Sequence, residues 1–135
     1  MDDRKRTELI LKYNNLFGKH GISFDVGDGW YNILNVLFKR ISHHLGSEQF
    51  TSNSDDNFQI IQIKEKFGEL RVYFINSPPN QCVSELISMA ENLSTVTCED
   101  CGKPGEIVNN DGWLRCQCNE HKMAKALDAP TDYLK

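Results

Sequence analysis

Cys98-Glu99-Asp100-Cys101, followed after sixteen intervening residues by Cys118-Asn119-Glu120-His121, sets three thiols and an imidazole in two equally spaced pairs. Thiolate and neutral imidazole are ligands that suit zinc, and a two-residue gap lets each pair close around one side of a tetrahedral ion. Cys98, Cys101, Cys118 and His121 are therefore the expected metal ligands, and a structural Zn2+ is the expected cofactor. Four protein ligands leave no position for water or substrate, which is what separates structural from catalytic zinc. Cys116 lies in the same cluster and offers a second set, Cys98, Cys101, Cys116 and Cys118, with His121 spare. The matched spacings favour the set that contains His121. A metal-free reading, with disulfides or buried thiols, has less behind it, because five cysteines are an odd number and no apolar leader is visible. Cys82 stands alone in an apolar helical pattern and reads as a small buried hydrophobe.

The chain between the two pairs has to fold them together. Gly105 to Arg115 holds two short β-type runs around Asn110-Asp111-Gly112, and an Asp-Gly between apolar runs is a strong hairpin signal. Trp113 is expected to pack on the knuckle. Knuckle, hairpin and knuckle in that order describe a zinc ribbon. Residues 122–127 favour a short helix, which Asp128-Ala129-Pro130 would end. A treble clef, with the last ligand on that helix, is the close alternative. Residues 96–135 thus read as a zinc-ribbon module that depends on its metal for a core.

Residues 1–95 read as one α+β domain, helices packed on a β-hairpin or small antiparallel sheet. Leu9, Ile10, Tyr13, Leu16 and Phe17 form a helical stripe between Arg4 and Phe17, broken at Lys19-His20-Gly21. Asp28 suits the N-cap of a second helix carrying Trp30, Ile33, Leu34, Leu37, Phe38 and Ile41, a stripe that serves equally well as core or as a homodimer interface. His43-His44 would end that helix, where a histidine favours the dipole. Gly46 to Asn57 is polar and reads as a loop. Phe58 to Lys64 and Leu70 to Ile75 are β-rich runs joined by Glu65–Glu69. Ser77-Pro78-Pro79-Asn80 stops the hairpin and starts a helix with Val83, Leu86, Ile87, Ala90 and Leu93 on one face.

Charge and composition narrow the function. The net charge is −4, and residues 96–135 carry five Lys/Arg against seven Asp/Glu. Duplex binding draws on a basic face, so nucleic acid is a disfavoured partner. The basic run Arg4-Lys5-Arg6 follows Asp2-Asp3 and reads as a solvated helix start. No apolar run approaches a membrane span, and thiols at metal spacing fit a reducing cytoplasm. Glycine-rich phosphate loops, a nucleophile elbow and a deaminase signature are all missing, so no enzyme is expected. Lys64, Lys66 and Arg71 crowd around the first hairpin with Phe67 at its tip. They are candidate partner-binding residues, although a solvated hairpin with Phe67 tucked into the core and Gly68 at positive φ accounts for them as well.

Gly29-Trp30 opening an amphipathic helix, the hairpin from Gln62 to Tyr73 (QIKEKFGELRVY), and the order Cys98-x2-Cys101-Gly102, Gly112-Trp113, Cys118-x-Glu120-His121 resemble a family of small, mostly uncharacterised proteins. These are encoded by bacteriophages, prophages and their bacterial hosts. The resemblance spans roughly residues 28 to 122 and places the ligands on Cys98, Cys101, Cys118 and His121. It implies a bacterial host cytoplasm and no particular activity. Together these features lead to an expected function: a non-catalytic zinc protein that binds another macromolecule. The first choice is a protein, bound as an inhibitor or modulator of a host defence or nucleic-acid enzyme. A nucleic-acid-associated ribbon in transcription or replication comes second, and an enzyme built on scattered carboxylates third.

Overall fold

The protein is described by a computed structural model covering residues 1–18, 21–51 and 57–122, without the side chains of 46–51. Helix α1 (Asp3–Lys12) begins where the Asp2 carboxylate accepts the Lys5 N–H at 2.8 Å, an N-cap. It stops short of the expected Phe17. Asn14–Leu16 form a 3-10 turn instead, as suits two asparagines whose side chains compete for backbone groups. The tighter turn still carries Leu16 and Phe17 into the core beside Leu9 and Tyr13. Arg6 pairs with Asp3, and Lys5 pairs with Asp28, which accounts for the basic run.

Strand β1 (Ser23–Asp25) follows. Three residues are too few to show alternation, so the sequence gives no sign of it. A second 3-10 turn, Asp28–Trp30, leads into helix α2 (Tyr31–Thr51). Asp28 does not cap this helix. Its carboxylate accepts the Asp2 N–H at 2.8 Å and pairs with Lys5, and these partners hold it below the usual carboxylate range. Trp30, Ile33, Leu34, Leu37, Phe38 and Ile41 are all buried. This half of α2 is thus core, and Tyr13 and Phe17 meet Phe38 edge to face. Gly46–Thr51 continue the helix rather than opening a loop, because extending a packed helix is easier than starting one. His43 and His44 consequently lie inside α2 and not at its end.

Strand β2 (Gln59–Lys66) pairs parallel with β1 and antiparallel with β3 (Glu69–Ile75), giving a mixed sheet in the order β1-β2-β3. The β2–β3 connection is two residues, not five. Phe67 (φ 56) and Gly68 (φ 82) both lie in the left-handed region, as in a primed turn. Phe67 at that tip is 67% exposed, so of the two readings the one that tucks it into the core does not hold.

Helix α3 (Gln81–Ser94) is capped by Asn80, which accepts the Val83 N–H at 3.1 Å. Val83, Ile87 and Ala90 are buried; Leu93, expected with them, is 46% exposed. Cys82 lies off the buried face and is exposed, not buried. α3 runs along the open edge of β3. The Ser94 hydroxyl accepts the Leu70 N–H at 2.9 Å, and the Glu91 carboxylate accepts the Val72 N–H at 3.1 Å. Two outward amides of an edge strand are thereby satisfied. Burial raises the Glu91 pKa despite that bond and the nearby Arg71.

Strands β4 (Glu106–Asn110) and β5 (Trp113–Gln117) form the second, two-stranded antiparallel sheet. Asp111 (φ 54) and Gly112 (φ 87) make the expected hairpin turn. Trp113 is 64% exposed and does not pack on the knuckle. The helix expected after His121 lies outside the described residues except for a helical turn at 119–122. Among the described residues no helix is long and apolar enough to cross a membrane. The architecture is α+β.

Candidate metal centre

Each half of the centre is a backbone turn before it is a set of ligands. In Cys98–Gly102 the Gly102 N–H bonds back to the Cys98 carbonyl at 2.9 Å, and the Cys98 N–H bonds the Lys103 carbonyl at 2.8 Å. Gly102 has φ 82, and a Cβ there would come within 3.0 Å of the Gly29 carbonyl oxygen. On the other side β5 delivers Cys118, and the Lys122 N–H bonds the Cys118 carbonyl at 2.9 Å, opening the turn that swings His121 inward.

The donor atoms of Cys98, Cys101, Cys118 and His121 lie within 4.8 Å of one another. The Cys101–Cys118 sulfur separation is 3.7 Å; His121 Nδ1 is 3.7 Å from the Cys98 sulfur and 3.2 Å from that of Cys118. A tetrahedral ion with metal–sulfur bonds of about 2.3 Å and metal–nitrogen bonds of about 2.0 Å sets its sulfurs ~3.8 Å apart and sulfur from nitrogen ~3.5 Å. The four groups therefore fit one metal ion. Cys116 is fully buried in the hydrophobic core and takes no part in the cluster, so the alternative ligand set is not the one brought together.

Electrostatics divide the thiols. The His121 backbone N–H, then its ring, lower the Cys118 thiol to about 6. The imidazole is raised in turn, chiefly by its bond to Cys118. Burial pushes Cys101 up to about 11, helped by the neighbouring thiols, and pushes Cys116 to about 11 as well. Of these thiols Cys118 is the one most readily ionised, so it is the first to offer an anionic sulfur to a cation.

The spacer residue Glu99 has a role that ligand spacing alone does not reveal. It is 5% exposed. Its N–H bonds the Cys116 carbonyl at 3.0 Å, and its carbonyl accepts the Gly29 N–H at 2.7 Å. Its carboxylate accepts the Gly27 N–H at 2.9 Å and meets Arg115 at 3.4 Å. Burial raises its pKa against both partners. Asp100 takes Arg115 at 3.3 Å and the Gln117 amide at 3.0 Å. Gly27 and Gly29 pack on this knuckle with no room for a side chain: a Cβ on Gly29 would lie 2.6 Å from the Glu99 carbonyl carbon and closer still to the Cys98 oxygen. Next door, the Trp30 indole N–H bonds the Thr97 carbonyl at 2.9 Å. The turn opening α2 and the first metal knuckle are one packed unit. The signal in the sequence was Gly27-x-Gly29, a pair that permits close backbone approach.

The expected partner-binding residues all lie on the β2–β3 hairpin. Lys64 is opposite Arg71, so Lys64, Lys66 and Arg71 share a face. They do not form an uncompensated basic stripe, because Arg71 pairs with Glu69 at 3.3 Å and Lys64 neighbours Asp25 in β1. The Lys66 ammonium sits 5.7 Å from the Phe67 ring centre. Gly68 lies against Ile107 and Arg115, which seats the hairpin tip on the β4–β5 sheet. A polar hollow of about 330 Å³ opens there between Lys64, Glu65, Glu99, Trp113 and Arg115. No family model, no curated protein and no solved structure matches the chain.

Proposed function

We propose that this is a non-catalytic zinc protein that acts by binding another protein, as an inhibitor or modulator. The observation that carries the metal half is the closed Cys98–Cys101–Cys118–His121 donor set, whose spacing fits a tetrahedral ion with no open position. Zinc is the ion such a donor set favours, and its work here is to fasten a ribbon-like knuckle–hairpin–knuckle to the turn that opens α2. The binding half rests on two exposed aromatics on neighbouring hairpins, Phe67 at the β2–β3 turn and Trp113 on the wall of a hollow lined by both signs of charge. Rigidly held, exposed aromatics in a polar rim are what protein interfaces use as anchors. The target class proposed is a bacterial enzyme of host defence or of nucleic-acid metabolism, whose basic groove an acidic protein of net charge −4 can occupy.

The nucleic-acid reading draws on Lys64 and Lys66 beside the same aromatics. Asp25, Glu65 and Glu99 around the hollow and the net charge of −4 weigh against it. Tagged protein, its Phe67→Ala variant and its Trp113→Ala variant separate the two in pull-downs from bacterial lysate, with and without nuclease. One protein retained after nuclease and lost from Phe67→Ala is the expected result. Loss of every captured protein on nuclease treatment overturns it in favour of nucleic acid.

A further inference from the structure

α2 and α3 are antiparallel neighbours, since Trp30 at the start of α2 bonds the Thr97 carbonyl just beyond α3. Between them runs an apolar groove of about 270 Å³. Ile33, Leu37 and Ala90 are buried along it, while Val36 (56% exposed), Met89 (61%) and Leu93 (46%) stand along its sides. Single exposed apolar residues need no explanation, but three large ones along one groove do. Its charges are arranged at one end. Arg40 lines the groove from α2, and Glu85 precedes the lining residue Leu86 on α3. Both are exposed, and among the described residues neither side chain has an ion pair or hydrogen bond.

We propose that a second copy of this chain covers the groove, the two α2–α3 pairs stacking face to face about a two-fold axis that runs along it. That rotation sets α2 of one chain over α3 of the other at the same height. Val36 of one chain then meets Met89 of the other, and Arg40 meets Glu85 twice, once at each symmetric contact. The charge match selects a second copy as the occupant: the carboxylate that Arg40 lacks is supplied by its own sequence, at the height the symmetry requires. The surface lies on the helices, away from Phe67 and Trp113, and stands independently of the protein-binding reading.

Light scattering on the eluting full-length protein, with sedimentation equilibrium across roughly 1–200 µM, tests this, a range that brackets ordinary homodimer affinities. The expected mass is twice the 15.5 kDa of the chain. Met89→Asp, a change at an exposed position, is expected to give monomer with an unchanged melting profile. Arg40→Glu places two like-charge pairs in the interface and is expected to raise the dimer Kd on the order of tenfold or more. Adding Glu85→Arg restores it to within about threefold, because both pairs are re-formed with reversed sign. Monomer at every concentration overturns the proposal and leaves the groove to a helix from another protein. A dimer indifferent to Met89→Asp, or not restored by the charge swap, overturns it too by locating the interface elsewhere.

Discussion

Gly29→Ala places a single methyl group where the metal knuckle meets the start of α2. The new Cβ would lie 2.6 Å from both the carbonyl carbon and the carbonyl oxygen of Glu99 and closer to the Cys98 oxygen. All of these are backbone atoms, so no side chain can swing aside. Over-packing of this kind costs about 1–3 kcal/mol. The shift also opens the 2.7 Å bond from the Gly29 N–H to the Glu99 carbonyl, which adds about 1–3 kcal/mol if the buried groups find no other partner. The sum, about 2–6 kcal/mol, is a large part of the 5–15 kcal/mol that holds a domain folded. In a chain of this size it lowers Tm by about 6–24 °C. Gly112→Ala is the matched control. It too adds one methyl, at φ 87 but with nothing within 4 Å, so only backbone strain of about 1 kcal/mol applies. Calorimetric melts of both variants, with and without a chelator, make the comparison. Gly29→Ala is expected to melt far below Gly112→Ala and to release its metal at lower chelator concentration, because Cys98 moves with the displaced knuckle. Equal melting of the two variants would refute the claim that knuckle and turn are one packed unit.

Three further changes probe the supports. Ser94→Ala removes the acceptor for the buried Leu70 N–H and is expected to cost about 1–3 kcal/mol in chemical denaturation; no loss would mean the β3 edge needs no cover. Glu91 has a pKa raised in the fold, so the folded state favours its protonated form and loses that advantage as pH rises through the raised value. Glu91→Gln keeps an acceptor for Val72 and is expected to raise Tm at pH 7, with the gain fading as pH falls toward ~4; a gain independent of pH contradicts this. Cys116→Ser is expected to keep the metal while losing about 1–2 kcal/mol from a hydroxyl placed in the core; metal loss in that variant would return Cys116 to the ligand set.

The ligands were legible because metal chemistry fixes residue type and spacing together, and two x2 pairs flanking an Asp-Gly hairpin leave few arrangements. The core faces of α2 and α3 were legible for the same kind of reason, a 3.6-residue period. Other features depend on tertiary contact, which periodicity does not encode. β1 exists because Phe24 finds Ile63 across the sheet. Gly46–Thr51 are helical because the preceding turns are already packed. Glu99 looks like any surface acid in a knuckle until Gly27 and Arg115 close on it. For Phe67 the sequence left two readings open, an exposed tip or a core contact, and it is the two-residue turn with positive φ at both positions that holds it at the tip.

Cobalt substitution tests the central claim most directly. Titrating Co2+ into metal-free protein reports ligand type and geometry through its visible absorption, and competition with Zn2+ reports stoichiometry. One ion per chain is predicted, with the intense ligand-field bands of a tetrahedral site and sulfur-to-metal charge transfer from three thiolates. Those bands should survive Cys116→Ser and change in His121→Ala. A weak octahedral spectrum, a stoichiometry other than one, or a spectrum altered by Cys116→Ser and not by His121→Ala would contradict the Cys98–Cys101–Cys118–His121 centre.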